Sequence, residues 1–175
     1  MRFRLSVILI ALFLIPFLSS AQSGRIRDLY RYVEQTDSLA DKSTKTFYLE
    51  KFLKDNYNYR ETWRYLADGD RIVYFQVDYI LDSTEFTEVY YVNRNRLVCS
   101  EEYEKVNYTI REDELKFGGI YYFESSSAKH VVTLGRKNYQ YRNNDPVLEV
   151  LTRFGKRYSE LKRHLPMLPD ETPVE

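Results

Sequence analysis

A single cysteine, Cys99, stands in a chain of 175 residues, so no internal disulfide is available and packing has to hold the fold together. Two histidines, His130 and His164, are too few for a zinc site. Neither lies near Cys99 in sequence, so the thiol reads as a small buried side chain and not as a nucleophile. Glycine is scarce, at six residues, and its one adjacent pair, Gly118-Gly119, has no helix start after it. That excludes a phosphate-cradling loop and leaves a bulge or bend before a strand. Net charge is missing too: 26 basic residues balance 26 acidic ones, which removes any global electrostatic drive toward nucleic acid or an anionic membrane. No motif for a cofactor or a metal occurs, and none is expected.

What the chain has instead is tyrosine, 17 residues of it, with 10 phenylalanines. Tyrosine suits strands with one apolar and one wet side. Residues 1–21 stand apart: Arg2 and Arg4 precede an apolar run from Leu5 to Leu18, and Ser19-Ser20-Ala21 supplies small residues at a cleavage point. The pattern is that of a cleaved signal peptide, too short and wrongly flanked for a membrane span. The protein is therefore expected to be exported to the periplasm or beyond, with Gln22 as its new N-terminus and no stable membrane anchor. Residues 22–165 then form a single α+β domain, and 166–175, with Pro166, Pro169 and Pro173, a disordered tail.

Within that domain the stretch from Arg71 to Glu104 reads as three antiparallel strands. Val73, Phe75, Val77, Tyr79 and Leu81 alternate with more polar residues, the period of a half-buried strand. A loop at Ser83-Thr84 sets Leu81 opposite Phe86, Val77 opposite Tyr90 and Phe75 opposite Val92. A second two-residue loop, using Asn95, sets Val92 opposite Leu97 and Tyr90 opposite Cys99. Upstream, Arg60–Ala67 pairs with the central stretch through Asp68-Gly69-Asp70, bringing Trp63 to Phe75 and Tyr59 to Tyr79. Residues 45–54 fit helix or strand, with strand preferred because Asp55-Asn56 signals a turn. Lys105–Arg111 continues a strand or begins an irregular edge, and Arg111–Glu114 is a charged, solvated connection. Ile120–Phe123 and Val131–Leu134 form a last hairpin across Ser125–Ser127.

Two helices flank this meander of about six or seven strands. Ile26, Leu29, Tyr30 and Val33 recur at helical spacing from Arg25 to about Leu39. Asp145-Pro146 opens the second as N-cap and first helical residue, and Val147, Leu151, Phe154, Tyr158, Leu161 and Leu165 make its apolar stripe before Pro166 stops it. Both are expected to pack on one face of the sheet.

At Val89, Tyr90, Tyr91, Val92, Asn95 and Leu97, echoed at Ile120–Phe123, the chain resembles a group of uncharacterised exported bacterial proteins with a short N-terminal helix and a tyrosine-rich antiparallel meander. The resemblance covers Arg25 to Leu134 and implies a fold but no activity.

The same register places a polar row on the inner face: Tyr59, Tyr79, Glu88 and Glu101, the two glutamates directly opposite each other. Facing like charges destabilise a sheet, so a compensating group is required. Arg27, Arg31, Arg153 or Arg157 from a covering helix, or placement of the row at a wet edge, is preferred to a shared proton or a bridging calcium. The other face carries Tyr74, Asp78, Tyr91, Glu102 and Tyr122, an aromatic and acidic surface of the kind found at interfaces. Three functions fit. The first is a non-enzymatic binding module that presents this face to a protein or glycan. The second is a carrier holding an apolar ligand between sheet and helices. The third is an enzyme using Glu88 and Glu101 as acid and base, against which the missing histidine, nucleophile motif and glycine loop all weigh.

Overall fold

A computed structural model describes residues 24–52, 58–108, 112–137 and 145–167. Helix α1 occupies residues 24–43, longer at its C-terminal end than the apolar spacing predicts. Seven strands follow: β1 (Lys45–Phe52), β2 (Asn58–Asp68), β3 (Arg71–Leu81), β4 (Thr84–Asn93), β5 (Arg96–Val106), β6 (Glu114–Glu124) and β7 (Ser127–Gly135). They form one antiparallel sheet in the order of the sequence. Helix α2 (Pro146–His164) closes the domain and runs into a single 3₁₀ turn, Leu165–Met167, so Pro166 sits inside the turn that ends it. The expected Asp55-Asn56 turn lies outside the described residues, as do residues 1–21 and the tail from 168 onward.

The meander and its two helices match expectation; the placement of the helices does not. Val150, Tyr158 and Leu161 of α2 bury against Trp63, Phe75, Val77, Tyr90 and Val92 on one face. Val33 and Ala40 of α1 bury against Tyr74, Val89, Tyr91 and Cys99 on the other. Since side chains alternate along a strand, Tyr74 and Phe75, or Tyr90 and Tyr91, cannot share a side. The two helices sandwich the sheet.

The β4–β5 hairpin turns at Arg94-Asn95 with Val92 opposite Leu97, as expected, but other hairpins turn differently from the sequence reading. Asp68 pairs with Arg71 across Gly69-Asp70, where Gly69 has φ 61°. Leu81 pairs with Thr84 across Asp82-Ser83, where Asp82 has φ 55°. A loop set one residue earlier moves the register by two, so Phe75 faces Tyr90 and Tyr65, while Val77 faces Glu88 and Trp63. A slip of two keeps every side chain on its face. The last hairpin turns at Ser125-Ser126, and β6 starts at Glu114, in the stretch read as a solvated connection.

Bulges do change faces. Register shifts leave Val73, Val98, Lys116 and Lys129 each as an unpaired extra residue. The bulge at Val98 corrects the reading of β5. Leu97 stays under α2, but Cys99 crosses to the α1 side, buried opposite Tyr91 and not beside Tyr90. The bulge at Val73 likewise puts Ile72, in place of Val73, into the α2-side core. Bulging near Gly118-Gly119 falls at Lys116, and both glycines lie within β6.

An aromatic row runs through the α2-side core. Phe47 stacks on Trp63 at 5.7 Å, Trp63 on Phe75 at 6.2 Å, and Phe75 on Tyr90 at 4.6 Å. Phe154 and Tyr158 of α2 close over Phe75. Asp145 caps the helix by accepting hydrogen bonds from the Val147 and Leu148 amides, two donors the first turn leaves free.

Candidate functional site

Beneath α2, three glutamates from three strands are almost wholly withdrawn from water: Glu61 on β2 at 0% exposure, Glu88 on β4 at 3% and Glu102 on β5 at 5%. Glu88 and Glu102 are directly paired. Thus two carboxylates do face each other under a helix, but the partner is Glu102, because the bulge at Val98 turns Glu101 to the α1 side. Arg153 and Arg157, four residues apart and so one turn apart on α2, supply the compensation. Arg157 donates to Glu61 at 2.6 Å and to Glu88 at 3.0 Å. Arg153 lies 3.8 Å from Glu88, donates to Glu102, and reaches Glu149 at 3.5 Å. Lys137 ends the row, 2.7 Å from Glu102 and 3.0 Å from Glu149. Lys51 of β1 ends it on the other side, paired with Glu160 and 3.6 Å from Glu61. Acid and base alternate along its whole length.

Aromatic donors complete the shell. Trp63 Nε1 donates to Glu61 at 2.9 Å, and Tyr59 Oη reaches the same carboxylate at 3.4 Å. Tyr79 and Tyr90 donate to the two oxygens of Glu88 at 3.1 and 2.9 Å. Tyr121 donates to Glu102 at 2.7 Å. Its ring leans across Gly119, the residue paired with Glu102, where an added Cβ would lie 2.9 Å from the ring. Burial pushes the Glu88 carboxyl upward, yet Arg157 and Arg153 beside it hold it below the usual carboxylate range. Burial, with Glu61 adjoining, pushes the Tyr59 phenol up to about 12. Glu88 is thus held as an anion near neutrality, and Arg153 and Arg157 beside it as cations.

Of the predicted inner row, Tyr59, Tyr79 and Glu88 are brought together here. Arg153 and Arg157 are the compensating arginines; Arg27 and Arg31 are exposed on α1, across the sheet. Glu61, Lys51 and Lys137 escaped the sequence reading. Glu61 was findable, since it shares parity with Tyr59, Trp63 and Tyr65. Lys51 and Lys137 carry no local signal.

On the opposite face, α1 covers Tyr74 and Tyr91, both buried, and half of Tyr122, against whose ring Tyr30 packs at 4.5 Å. Glu102 is absent from this face. The Tyr32 hydroxyl donates to the Val92 carbonyl, and Tyr91 donates to Asp37 at 3.0 Å, fixing the helix over one half of the sheet. The other half is open. There Arg60, Arg64, Gln76, Asp78, Ile80 and Thr87 line a groove of about 650 Å³ across β2, β3 and β4. Its side chains hold one another: Tyr74 donates to Gln76 at 2.7 Å, Gln76 to Asp78 at 2.8 Å, and Thr87 to Asp78 at 2.9 Å, with Arg64 3.7 Å away. At its margin Arg60 lies over the exposed Tyr48 ring, 4.0 Å from the centroid.

Compared with known proteins, the chain matches no family model, no curated protein and no solved structure. Among the described residues no helix is long and apolar enough to cross a membrane.

Proposed function

We propose that the protein is an exported, non-enzymatic binding module that meets a protein or glycan partner through the half of its sheet left open by α1. The groove across β2–β4 carries this reading. Its polar side chains are ordered by one another, so a partner meets donors and acceptors already in place and little side-chain entropy is lost on contact. Tyr48 and Ile80 add exposed apolar area beside those groups.

The two other readings lose their support. A carrier needs space between sheet and helix, but Trp63, Phe75, Val77, Tyr90 and Val92 fill it. Around Arg153 and Glu88 the remaining void is about 20 Å³, close to one water. The Glu88/Glu101 acid–base pair requires both carboxylates on one face, and the sheet lies between them.

The test is capture of the tagged protein from the compartment it occupies, comparing wild type with Asp78→Arg and Thr87→Arg. These changes fill the groove without touching either core. A protein or glycan retained by wild type and released by both variants is the expected result. Equal retention by all three would rule this surface out.

A further inference from the structure

The two edges of the sheet are defended unequally. An edge strand leaves every second backbone amide and carbonyl without a ladder partner, a template on which another strand can form. β1 is guarded: Lys45, Glu50 and Lys51 interrupt it with charge, and Lys51 is drawn to Glu61 and Glu160. β7 is not. It holds one lysine, Lys129, no acidic residue and no proline, and among the described residues no strand pairs with its outer side.

Val131, Val132 and Leu134 form an exposed apolar run on this edge, Leu134 at 66%. The exposure has a local cause. Leu134 is paired with Gly118 and Thr133 with Gly119, so β6 offers no side chain beside either. Val131, opposite Tyr121, belongs to the α2 face, and Val132, opposite Ile120, to the α1 face. Anything laid on one face would leave the other wet. A strand added at the edge continues both faces and takes up the free amides and carbonyls.

We propose that β7 joins β7 of a second copy, antiparallel about a two-fold axis, so that the two seven-stranded sheets run on as one. Charge and symmetry select a second copy. A two-fold axis normal to the sheet keeps like faces together and pairs residues of like parity. Centred on Val132, it sets Val132 against itself, Leu134 against His130 and Val131 against Thr133, while Lys129 falls at the far end by Gly135. No like charges meet within the paired strands. The other edge-to-edge contact, β7 on β1 of the next molecule, is head-to-tail and does not close, and it would draw Lys45, Glu50 and Lys51 into an apolar joint. The groove over β2–β4 lies away from the joint and stays open in both copies, whatever it binds.

Sedimentation of the protein purified from the compartment it occupies tests the joint. Wild type should pass from monomer to twice that mass as its concentration rises through the micromolar range, the affinity expected of a contact at the small end of interface sizes. Val132→Lys puts a charge at the centre of the strand without entering either core. It should hold the monomer mass over the same range and melt where dilute wild type does. Phe52→Lys, a like change at the exposed end of β1, should dimerise as wild type does. Hydrogen exchange of the wild type needs no variant: β7 amides should exchange several-fold more slowly in concentrated than in dilute protein, with β1 unchanged. A wild type that stays monomeric, β7 amides indifferent to concentration, a dimer that survives Val132→Lys or is lost in Phe52→Lys, or polymers longer than two would each overturn the proposal.

Discussion

Glu88 and Glu102 face each other across β4 and β5 in the dry layer beneath α2, and Arg153 lies against both. Arg157 on Glu88 and Lys137 on Glu102 share the task, but among the described residues Arg153 alone lies between the two facing anions and offsets their repulsion. The arrangement therefore makes the position of α2 a condition for the sheet's own stability.

Arg157→Met removes the cation that joins Glu61 to Glu88 while keeping much of the aliphatic stem. Breaking one side of a buried ion pair costs about 3–5 kcal/mol, since the remaining charge stays out of water. Urea unfolding followed by Trp63 fluorescence should show a loss of that order. A change below about 1 kcal/mol, the size typical of a surface pair, would show that the row is solvated.

Acid should weaken the α2 side. Glu88 is held below its ordinary range in the fold, so the unfolded chain binds its proton more readily. The stability it contributes is complete above the unfolded carboxylate value, about pH 4.3, and is lost as pH falls through the folded one. Glu101 has the opposite sign: its contribution is complete below the unfolded value and is lost as pH rises through the raised folded one. Melting temperature against pH should decline on both limbs. Glu88→Gln should flatten only the acid limb, at a lower overall stability, and Glu101→Gln only the other.

Gly119→Ala places a methyl group 2.9 Å from the Tyr121 ring and 3.0 Å from that of Phe117. Tyr121 must move, and its bond to Glu102 is strained or lost. Overpacking of this kind costs about 1–3 kcal/mol. Gly118→Ala, with its nearest neighbour at 3.5 Å, is the matched control and should fall well short of that in the same denaturation series.

Trp63→Ala and Phe75→Ala each open a hole in the stacked row. Truncations of buried aromatics cost about 3–5 kcal/mol, a large part of the margin of a domain this size. Calorimetry should find both severely destabilised. Tyr48→Ala, exposed at the groove's margin, should leave the melting temperature nearly unchanged.

Much of this fold was legible because a period of two survives errors of two. Placing the Asp82-Ser83 loop one residue late moved every partner in β3 and β4 but left Phe75, Val77, Tyr79, Phe86 and Tyr90 on the correct side. Bulges defeat that protection. Val98 resembles any other strand residue, yet as an unpaired extra it exchanges the faces of Cys99, Glu101 and Glu102, and so trades one candidate pair for another. The location of α1 was hidden for a similar reason. An apolar stripe says that a helix must be covered and not which side of the sheet covers it. Lys51 and Lys137 were illegible for a third reason: each meets its glutamates only through tertiary folding.

The meander lets every strand find its neighbour as soon as the next hairpin exists, yet the sheet's buried anions wait for a distant answer. Glu102 meets Arg153 across 51 residues of chain, and Glu61 meets Arg157 across 96. A nascent or clipped polypeptide that stops short of α2 has all its strands and none of these arginines. Its inner face then carries Glu61, Glu88 and Glu102 without these arginines, and the strands cannot bury it. The buried layer of the sheet is therefore finished only by the last element of the chain to be made.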